Sequence, residues 1–170
     1  APTVQDSEYF ASAFNAIQQL ISEGLILAGH DISAGGMITA LLEMNFANTE
    51  GGLEVKLDKL PEKDLIKILF SENPGVLIQV KDRKAVEKIL EEAGVGYAVV
   101  GHPCSERHIL VSKDGAEYLF GIDHLRDVWF SSSYLLDRKQ SGEAQAKARF
   151  LNYKEQPLHY HFGKSFTGKM

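Results

Sequence analysis

The stretch "LILAGHDISAGGMITALLEMNFA" (residues 25–47) decides how the chain folds around it. Its first part, residues 25–28, is a short apolar run that predicts a buried β-strand. Its last part, residues 37–47, has apolar residues at positions i, i+3 and i+4 and predicts a helix. Between them lie a histidine, an aspartate, a serine and two adjacent glycines. The motif "GHDISAGGM" (29–37) is therefore predicted to form a strand-to-helix turn.

Outside this stretch, the sequence predicts further helices and strands in mixed order. Helices are predicted over residues 7–22, from Pro61 onwards, over 82–94 and over 123–138. Strands are predicted at residues 53–57 and 75–80, within 97–103, and as two strands within 107–122. Asp114-Gly115 joins the last two strands and is a strong hairpin signal. The pattern favours an α+β fold with a mixed or antiparallel sheet covered by helices on one face.

The composition is that of an ordinary globular domain, with 170 residues, 44% hydrophobic residues and a net charge of −5. Because no dense basic cluster is present, neither nucleic acid nor a membrane surface is indicated as a partner. No apolar run approaches the roughly 20 residues of a membrane span, and no signal peptide is visible. A single cysteine, Cys104, excludes an intrachain disulfide. We therefore expect a cytoplasmic protein and, because the chain opens at Ala1, a piece of a longer one.

The glycine turn has the outline of an anion site. Gly35 and Gly36 can adopt positive φ, and the helix after them would direct backbone N–H groups and its positive dipole end at one point. Ser33 could add a hydroxyl donor, and Asp31 could orient a ligand hydroxyl or amine, or hold magnesium shared with a phosphate. The alternative is that Asp31 or Ser33 only caps the helix and His30 is a turn residue or a partner of Asp31. Spacing alone leaves both interpretations open.

Three segments resemble, in order, the last part of the synthetase core of the large phosphoribosylformylglycinamidine synthases. They are residues 28–47 (AGHDISAGGMITALLEMNFA), 69–80 (LFSENPGVLIQV) and 125–140 (LRDVWFSSSYLLDRKQ). The first has His-Asp-x-Ser-x-Gly-Gly followed by a helix that ends in Glu-Met. The third resembles the stretch that precedes the family's glutaminase domain. The resemblance implies a fold like the C-terminal half of aminoimidazole ribonucleotide (AIR) synthetase.

The resemblance also implies a function in purine biosynthesis. The family is an ATP-dependent ligase that, with Mg²⁺, converts formylglycinamide ribonucleotide and glutamine to formylglycinamidine ribonucleotide. Its core resembles a duplicated AIR synthetase, and this chain resembles the C-terminal half of the second copy. Residues 1–140 would be that domain, and residues 141–170 an extension leading toward a glutaminase domain. The implied partners are preceding ATP-binding synthetase domains, the glutaminase domain, and formylglycinamide ribonucleotide or another phosphate-bearing ligand.

By the same resemblance, the glycine-rich loop is a substrate- or nucleotide-binding loop. Its residues are His30, Asp31, Ser33, Gly35 and Gly36, with Glu43 and Glu72 at the family's Glu-Met and Leu-Phe-x-Glu positions as supporting residues. Ala34 stands where many family members carry aspartate, which removes one candidate ligand for a metal or a hydroxyl. This departure favours a structural or auxiliary-site role over direct catalysis. Alone, the chain is expected to be inactive and to hold neither ATP nor metal tightly.

The remaining candidate residues give weaker signals. Cys104 lacks a Gly-Cys-Gly-type context and is predicted to be a strand-end residue. His159 and His161 form a His-x-His pair with no further ligand near them in sequence, so no metal site is predicted. Trp129 and Tyr134 are predicted to pack, in a longer protein against the glutaminase domain. Two other functions stay open: another ATP-using member of the AIR synthetase superfamily, and a non-catalytic binding or interaction module.

Overall fold

The computed structural model describes residues 4–152 and 155 and confirms the α+β class. The helices of this part are α1 (Ser7–Ser22), α2 (Gly36–Phe46), α3 (Leu65–Phe70), α4 (Arg83–Glu92), α5 (Ile122–Ser141) and α6 (Glu143–Leu151). Its strands are β1 (Ile26–Ile32), β2 (Gly52–Lys56), β3 (Gly75–Val80), β4 (Gly101–Cys104), β5 (His108–Lys113) and β6 (Ala116–Gly121).

The strands lie in two sheets rather than one. β1 and β3 form an antiparallel pair, and the other four strands lie in the order β4-β2-β5-β6. In the larger sheet β2 and β5 are parallel, whereas β2–β4 and β5–β6 are antiparallel, so the sheet is mixed as predicted. The predicted hairpin at Asp114-Gly115 joins β5 to β6, and both of its residues have positive φ.

The main core lies between α2 and the larger sheet. Val55 of β2 and Ile109 and Val111 of β5 are almost completely buried and pack with Met37 and Leu41 of α2. Burial of an aliphatic side chain of this size contributes about 1.5–3 kcal/mol. Because successive strand residues alternate between faces, this burial places α2 on one face of the larger sheet, in agreement with the predicted arrangement.

A second core forms where α1 and α4 pack beside the β1–β3 pair. Its buried residues are Ala16, Leu20, Val86 and Leu90. Asp6 begins α1 by accepting hydrogen bonds from two backbone N–H groups, and Asp82 begins α4 in the same way with one. Both helices end at a glycine with positive φ, Gly24 and Gly94. These boundaries agree with the predicted helices.

β1 is longer than predicted. It continues from the expected residues 25–28 to Ile32, so His30 and Asp31 lie in a strand and not in a turn. The reason is its pairing with β3, in which His30 faces Leu77 and Asp31 faces Val76. The turn itself is therefore confined to the residues between Ile32 and α2.

Two further element boundaries differ from the sequence prediction. α3 begins at Leu65 and not at Pro61, because the Asp64 carboxylate accepts hydrogen bonds from the N–H groups of Ile66 and Lys67, at 3.0 and 3.4 Å. β4 covers only Gly101–Cys104, and residues 97–100 of the predicted strand region have no regular secondary structure.

The predicted extension contains a helix that sequence analysis did not predict. α6 packs against α5, where Arg149 donates to the Asp137 carboxylate at 2.6 and 2.9 Å. The Tyr134 hydroxyl donates to Glu143 at 2.6 Å, and the Tyr134 ring lies 5.0 Å from that of Phe150. Hydrogen bonds from Arg149, and then from Ser141, hold the pKa of Asp137 below its usual value. Residues 143–151 are thus held against α5 by specific contacts.

Arg107, in the connection between β4 and β5, ties three parts of the chain together. Its guanidinium donates to the carbonyl oxygens of Asn45 and Gly51, each at 3.2 Å, and of Asn48, at 2.7 Å. It also pairs with the Asp123 carboxylate at 3.0 Å, and its side chain is only 18% exposed. The end of α2, the start of β2 and the start of α5 are therefore fixed to one cation.

We expect Arg107→Met to lower the free energy of unfolding by about 3 kcal/mol, because it takes the donor away from partly buried carbonyl oxygens and removes the ion pair with Asp123. Urea denaturation measures this difference. The control is Arg83→Met, which removes an exposed i,i+4 pair with Glu87 and should cost about 0.5 kcal/mol or less. Equal costs for the two variants would show that Arg107 does not organise the fold.

Candidate functional site

The two glycines of the turn have the conformation that the sequence predicts. Gly35 has φ +85° and Gly36 has φ +75°. A Cβ atom on Gly36 would lie 2.6 Å from the carbonyl oxygen of Leu69 and 2.7 Å from the Cα of Phe70. A glycine is therefore required at position 36 for two reasons. Its backbone is left-handed, and the end of α3 packs so closely that no Cβ atom fits.

The N–H groups of these glycines are already engaged within the chain. Gly35 N–H donates to the Glu72 carboxylate at 2.9 Å, and Gly36 N–H donates to the Ser33 carbonyl at 3.0 Å. The Thr39 hydroxyl donates to the Gly35 carbonyl at 3.0 Å. The prediction that these N–H groups are free for an anion is therefore wrong for Gly35 and Gly36. Their donors are used to fix the turn and to bring Glu72 onto it.

Neither Asp31 nor Ser33 caps α2, so that part of the alternative interpretation is also wrong. The N-cap residue is Gly35, and no side chain accepts the capping hydrogen bond. Asp31 does not cap α2 because it lies in β1, several residues before the helix begins. A carboxylate does reach the start of the helix, from Glu72, which is distant in sequence and accepts from the Gly35 N–H.

His30 links β1 to α2. Its Nε2 lies 3.3 Å from a carboxylate oxygen of Glu43, and its Nδ1 lies 2.7 Å from the Asp31 carbonyl oxygen and 3.6 Å from the Asp31 carboxylate. Both ring nitrogens face oxygen acceptors, so only a doubly protonated ring donates to both at once. The His30 and Glu43 side chains are 29% and 25% exposed, whereas Asp31 is 74% exposed. His30 and Glu43 thus form an inner pair beside a solvent-facing Asp31.

The structure therefore brings the predicted residues together in two groups. His30, Asp31 and Glu43 form one, and Gly35 and Glu72 form the other. Sequence analysis missed Thr39, although its spacing of four residues from Gly35 is that of a hydroxyl bonding back to a helix carbonyl.

Cys104 has the properties of a structural cysteine. Burial raises the pKa of its thiol, which donates to the Glu106 carbonyl at 3.7 Å. A nucleophilic cysteine needs a lowered pKa, because the thiolate is the reactive form.

The described part of the chain offers neither a metal site nor a membrane-spanning helix. Residues 4–152 and 155 contain no group of three or more histidine, cysteine, aspartate or glutamate side chains placed to hold a metal ion. None of the helices within this range is long and apolar enough to cross a membrane. His159 and His161 lie outside the described residues.

With this geometry in place, comparison with known proteins shows the family. Residues 2–112 match the family described as AIR synthase related protein, C-terminal domain. The chain belongs to this family. The signature turn and the helix after it lie inside the matched range, as do the β1–β3 pair and α4.

Relatives of this AIR synthase C-terminal domain include enzymes of the family that the sequence resembles. Phosphoribosylformylglycinamidine synthase of Homo sapiens is 33% identical over 97% of the chain, which spans 12% of that relative's length. The major tegument protein of Epstein-Barr virus (strain AG876) is 32% identical over 72% of the chain, which covers 9% of that protein. The resemblance to phosphoribosylformylglycinamidine synthase is thereby confirmed.

Solved structures share the fold. The Thermotoga maritima protein PurL complexed with ATP superposes on 73% of this chain with a TM-score of 0.62 and 23% identity, and the matched part is 23% of that chain. Its complex with FGAR matches 68% of this chain and 20% of that chain, with a TM-score of 0.55 and 25% identity.

We expect Gly36→Ala to lower the free energy of unfolding by about 3–4 kcal/mol, from the left-handed backbone together with the clash against α3. The matched control is Gly24→Ala, which has a similar φ of +68° but open space where Cβ would lie. It should cost only about 1–2 kcal/mol. Chemical denaturation of both variants separates the cost of the left-handed backbone from the cost of the clash with α3. If the costs are the same, α3 does not pack against the turn as described.

Proposed function

We propose that the chain is the second AIR synthetase-like C-terminal domain of a phosphoribosylformylglycinamidine synthase. The observation that carries this proposal is the 33% identity to the human enzyme, which extends over 97% of the chain. The whole enzyme would use ATP and Mg²⁺ to convert formylglycinamide ribonucleotide and glutamine to formylglycinamidine ribonucleotide. The ATP and FGAR complexes of the Thermotoga relative support this choice of nucleotide and substrate.

Within that enzyme, we assign the glycine turn a supporting role. The Gly35 donor is taken by Glu72, and the Gly36 donor by Ser33. Of the residues predicted for the site, Asp31, Glu43 and Glu72 are carboxylates, which repel a phosphate. These contacts suit a loop that fixes the synthetase core better than one that holds a reacting phosphate. The catalytic and ATP-binding groups would then come from preceding domains, and the chain alone would be inactive.

We propose that residues 1–140 form the AIR synthetase-like domain and that residues 141–170 lead toward a glutaminase domain. We also propose that the whole enzyme lies in the cytoplasm.

α5 carries an exposed apolar stripe, defined as Val128, Trp129, Leu135 and Leu136, each about half exposed. Positions i, i+1, i+7 and i+8 share one helix face. Tyr134 and Asp137, which contact α6, point in another direction. The stripe supports docking of the glutaminase domain on the face of α5 away from α6.

The test of the supporting role is ammonia-dependent amidine synthesis by the longer enzyme that contains this chain. We expect Asp31→Ala to keep activity within about threefold of the unsubstituted enzyme, because no group acting in the transition state is lost. Glu117→Ala, at an exposed acid on β6, is the control for the change in charge. The isolated 170-residue chain should form no amidine.

Two other outcomes would revise the proposal. A loss of about a hundredfold or more in Asp31→Ala, with an unchanged melting temperature, would place the turn in a working catalytic site. Failure of the unsubstituted longer enzyme to make amidine would remove the proposed activity altogether. In that case a non-catalytic binding module would be favoured, because a relative that is 32% identical over 72% of the chain, the viral major tegument protein, has a name that is not that of an enzyme.

The docking proposal has its own test, because ammonia bypasses the glutaminase step. We expect the double variant Trp129→Ala, Leu136→Ser to lower glutamine-dependent synthesis at least about tenfold, since buried aromatic anchors dominate interfaces. Ammonia-dependent synthesis should be unchanged. The control is Tyr118→Ala, Leu119→Ser, which removes exposed apolar groups from β6 instead. Equal loss of both activities in the α5 variant would argue against docking at the stripe.

A further inference from the structure

One apolar face of α1 is left open by the other elements of residues 4–152. Phe10, Phe14 and Ile21 lie on it and are 50%, 56% and 55% exposed. Ile17, between them, is partly buried and packs against the second core. These four residues are called the α1 seam below. Because Ile17 belongs to both, the seam is an apolar strip continuous with the folded core.

The α1 seam has the spacing of a helix-pairing surface. Its residues follow one another at intervals of four, three and four. This alternation keeps apolar side chains on one face of a helix, as in the heptads of coiled coils. The seam extends for about 17 Å along the helix. Ala16 and Leu20, which pack in the second core, lie about 100° around the helix from it. The domain's own core therefore accounts for a different face of α1.

The surroundings of the seam carry no charge. Residues 9–22 contain no charged side chain, and the one acidic residue of the helix, Glu8, lies on the opposite side from the seam. Ala11, Ala13 and Gln18 form its flanks. An exposed helix face normally carries charged residues, whereas depletion of charge is typical of the centre of an interface. A partner that matches the seam is equally apolar and uncharged.

The seam is complementary to itself in one orientation. When two α1 helices lie antiparallel about a twofold axis midway between Phe14 and Ile17, Phe10 faces the partner's Ile21 and Phe14 faces the partner's Ile17. Each aromatic ring then meets a smaller aliphatic group, which favours close interdigitation. In a parallel pair, each ring would meet the same ring of the other helix. The antiparallel pair also sets the positive pole of each helix dipole beside the negative pole of the other.

The area available is enough for a weak dimer. A large apolar side chain has roughly 200 Å² of surface, so the half-exposed Phe10, Phe14 and Ile21 present roughly 300 Å² in each copy. Pairing of two copies buries about 600 Å² from these side chains alone. The flanking residues bring the total toward the roughly 1,000 Å² at which specific interfaces begin. We expect a dissociation constant of about 10–100 µM.

We propose that a second copy of this chain covers the α1 seam, through antiparallel twofold pairing of the two α1 helices. A twofold contact uses the same patch on both copies, so the assembly closes at two chains. This interface goes beyond the proposed function. In the longer enzyme it would join two enzyme molecules through α1, whereas the exposed stripe of α5 is proposed to receive the glutaminase domain.

The test is sedimentation equilibrium of the 170-residue chain from about 1 to about 300 µM, which brackets the expected dissociation constant. The mass should rise from that of one chain to that of two and then stay constant. Phe14→Glu should lower the association constant at least about a hundredfold, because each copy brings a charge into the centre of the apolar contact. Its circular dichroism spectrum should be unchanged, since Phe14 is half exposed.

Leu119→Glu is the matched control, because it makes the same change in charge at an exposed apolar residue of β6. It should leave the association constant unchanged. A second control is the α5 double variant Trp129→Ala, Leu136→Ser, which removes exposed apolar groups from a different helix. It should also associate like the native chain.

Mixtures of variants test the orientation of the helices. Phe10→Glu and Ile21→Lys should each weaken self-association about tenfold or more. A mixture of the two should form a dimer of native strength within about threefold, because the introduced carboxylate faces the introduced ammonium in an antiparallel pair. A mixture of Phe10→Glu with Phe10→Lys should stay weak, since those two positions meet only in a parallel pair.

Several results would overturn the proposal. One is a mass that stays at one chain up to the highest concentration, and another is a mass that keeps rising beyond two chains. Loss of association in Leu119→Glu or in the α5 double variant, to the extent seen in Phe14→Glu, would also contradict it. Recovery only in the mixture of the two Phe10 variants would overturn the antiparallel pairing. None of these measurements depends on enzyme activity, so they are separate from the test of the proposed function.

Discussion

The ends of α2 set the constraint on which the rest of the structure depends. This helix is apolar and largely buried, with no acidic residue in its first turn and no basic residue in its last. Its terminal N–H and C=O groups must therefore be satisfied from elsewhere. Glu72 supplies a carboxylate at the N-terminal end, from 37 residues away, and Arg107 supplies a guanidinium at the C-terminal end, from 62 residues away. Anion and cation thus match the two poles of the helix dipole and fix the segments that carry them.

This arrangement changes the meaning of the signature motif. A glycine turn before a helix is an anion site in outline, but here the anion at Gly35 is the chain's own Glu72 carboxylate. A phosphate at the same N–H would have to displace that carboxylate. Because Gly36 also packs against the end of α3, displacement of Glu72 would disturb the connection that leads into β3. The motif therefore fits a role in ordering the core.

The sequence predicts the elements whose signals are local. Asp6 and Gly24 bound α1, Asp114-Gly115 turns the hairpin, and the glycine motif gives its positive φ values. The length of β1 could not be predicted, because its polar residues are in a strand only through pairing with β3. α6 was missed because it is held by contacts such as Arg149 with Asp137, and not by an apolar period of its own. The contacts of Glu72 and Arg107 leave no local signal at all, since their partners are distant in sequence.

The glycine turn and the exposed apolar stripe of α5 are distinct surfaces, and α2 relates them. The glycine turn lies at its first residues, while Phe46, its last residue, places its ring 6.2 Å from that of Phe130 on α5. A displacement of α5 caused by docking at its exposed stripe would therefore be felt first at the C-terminal end of α2. That end is the one that Arg107 holds, and Arg107 also pairs with Asp123 in the first turn of α5. The C-terminal end of α2 is thus more directly linked to α5 than the glycine turn is, because the turn packs against α3.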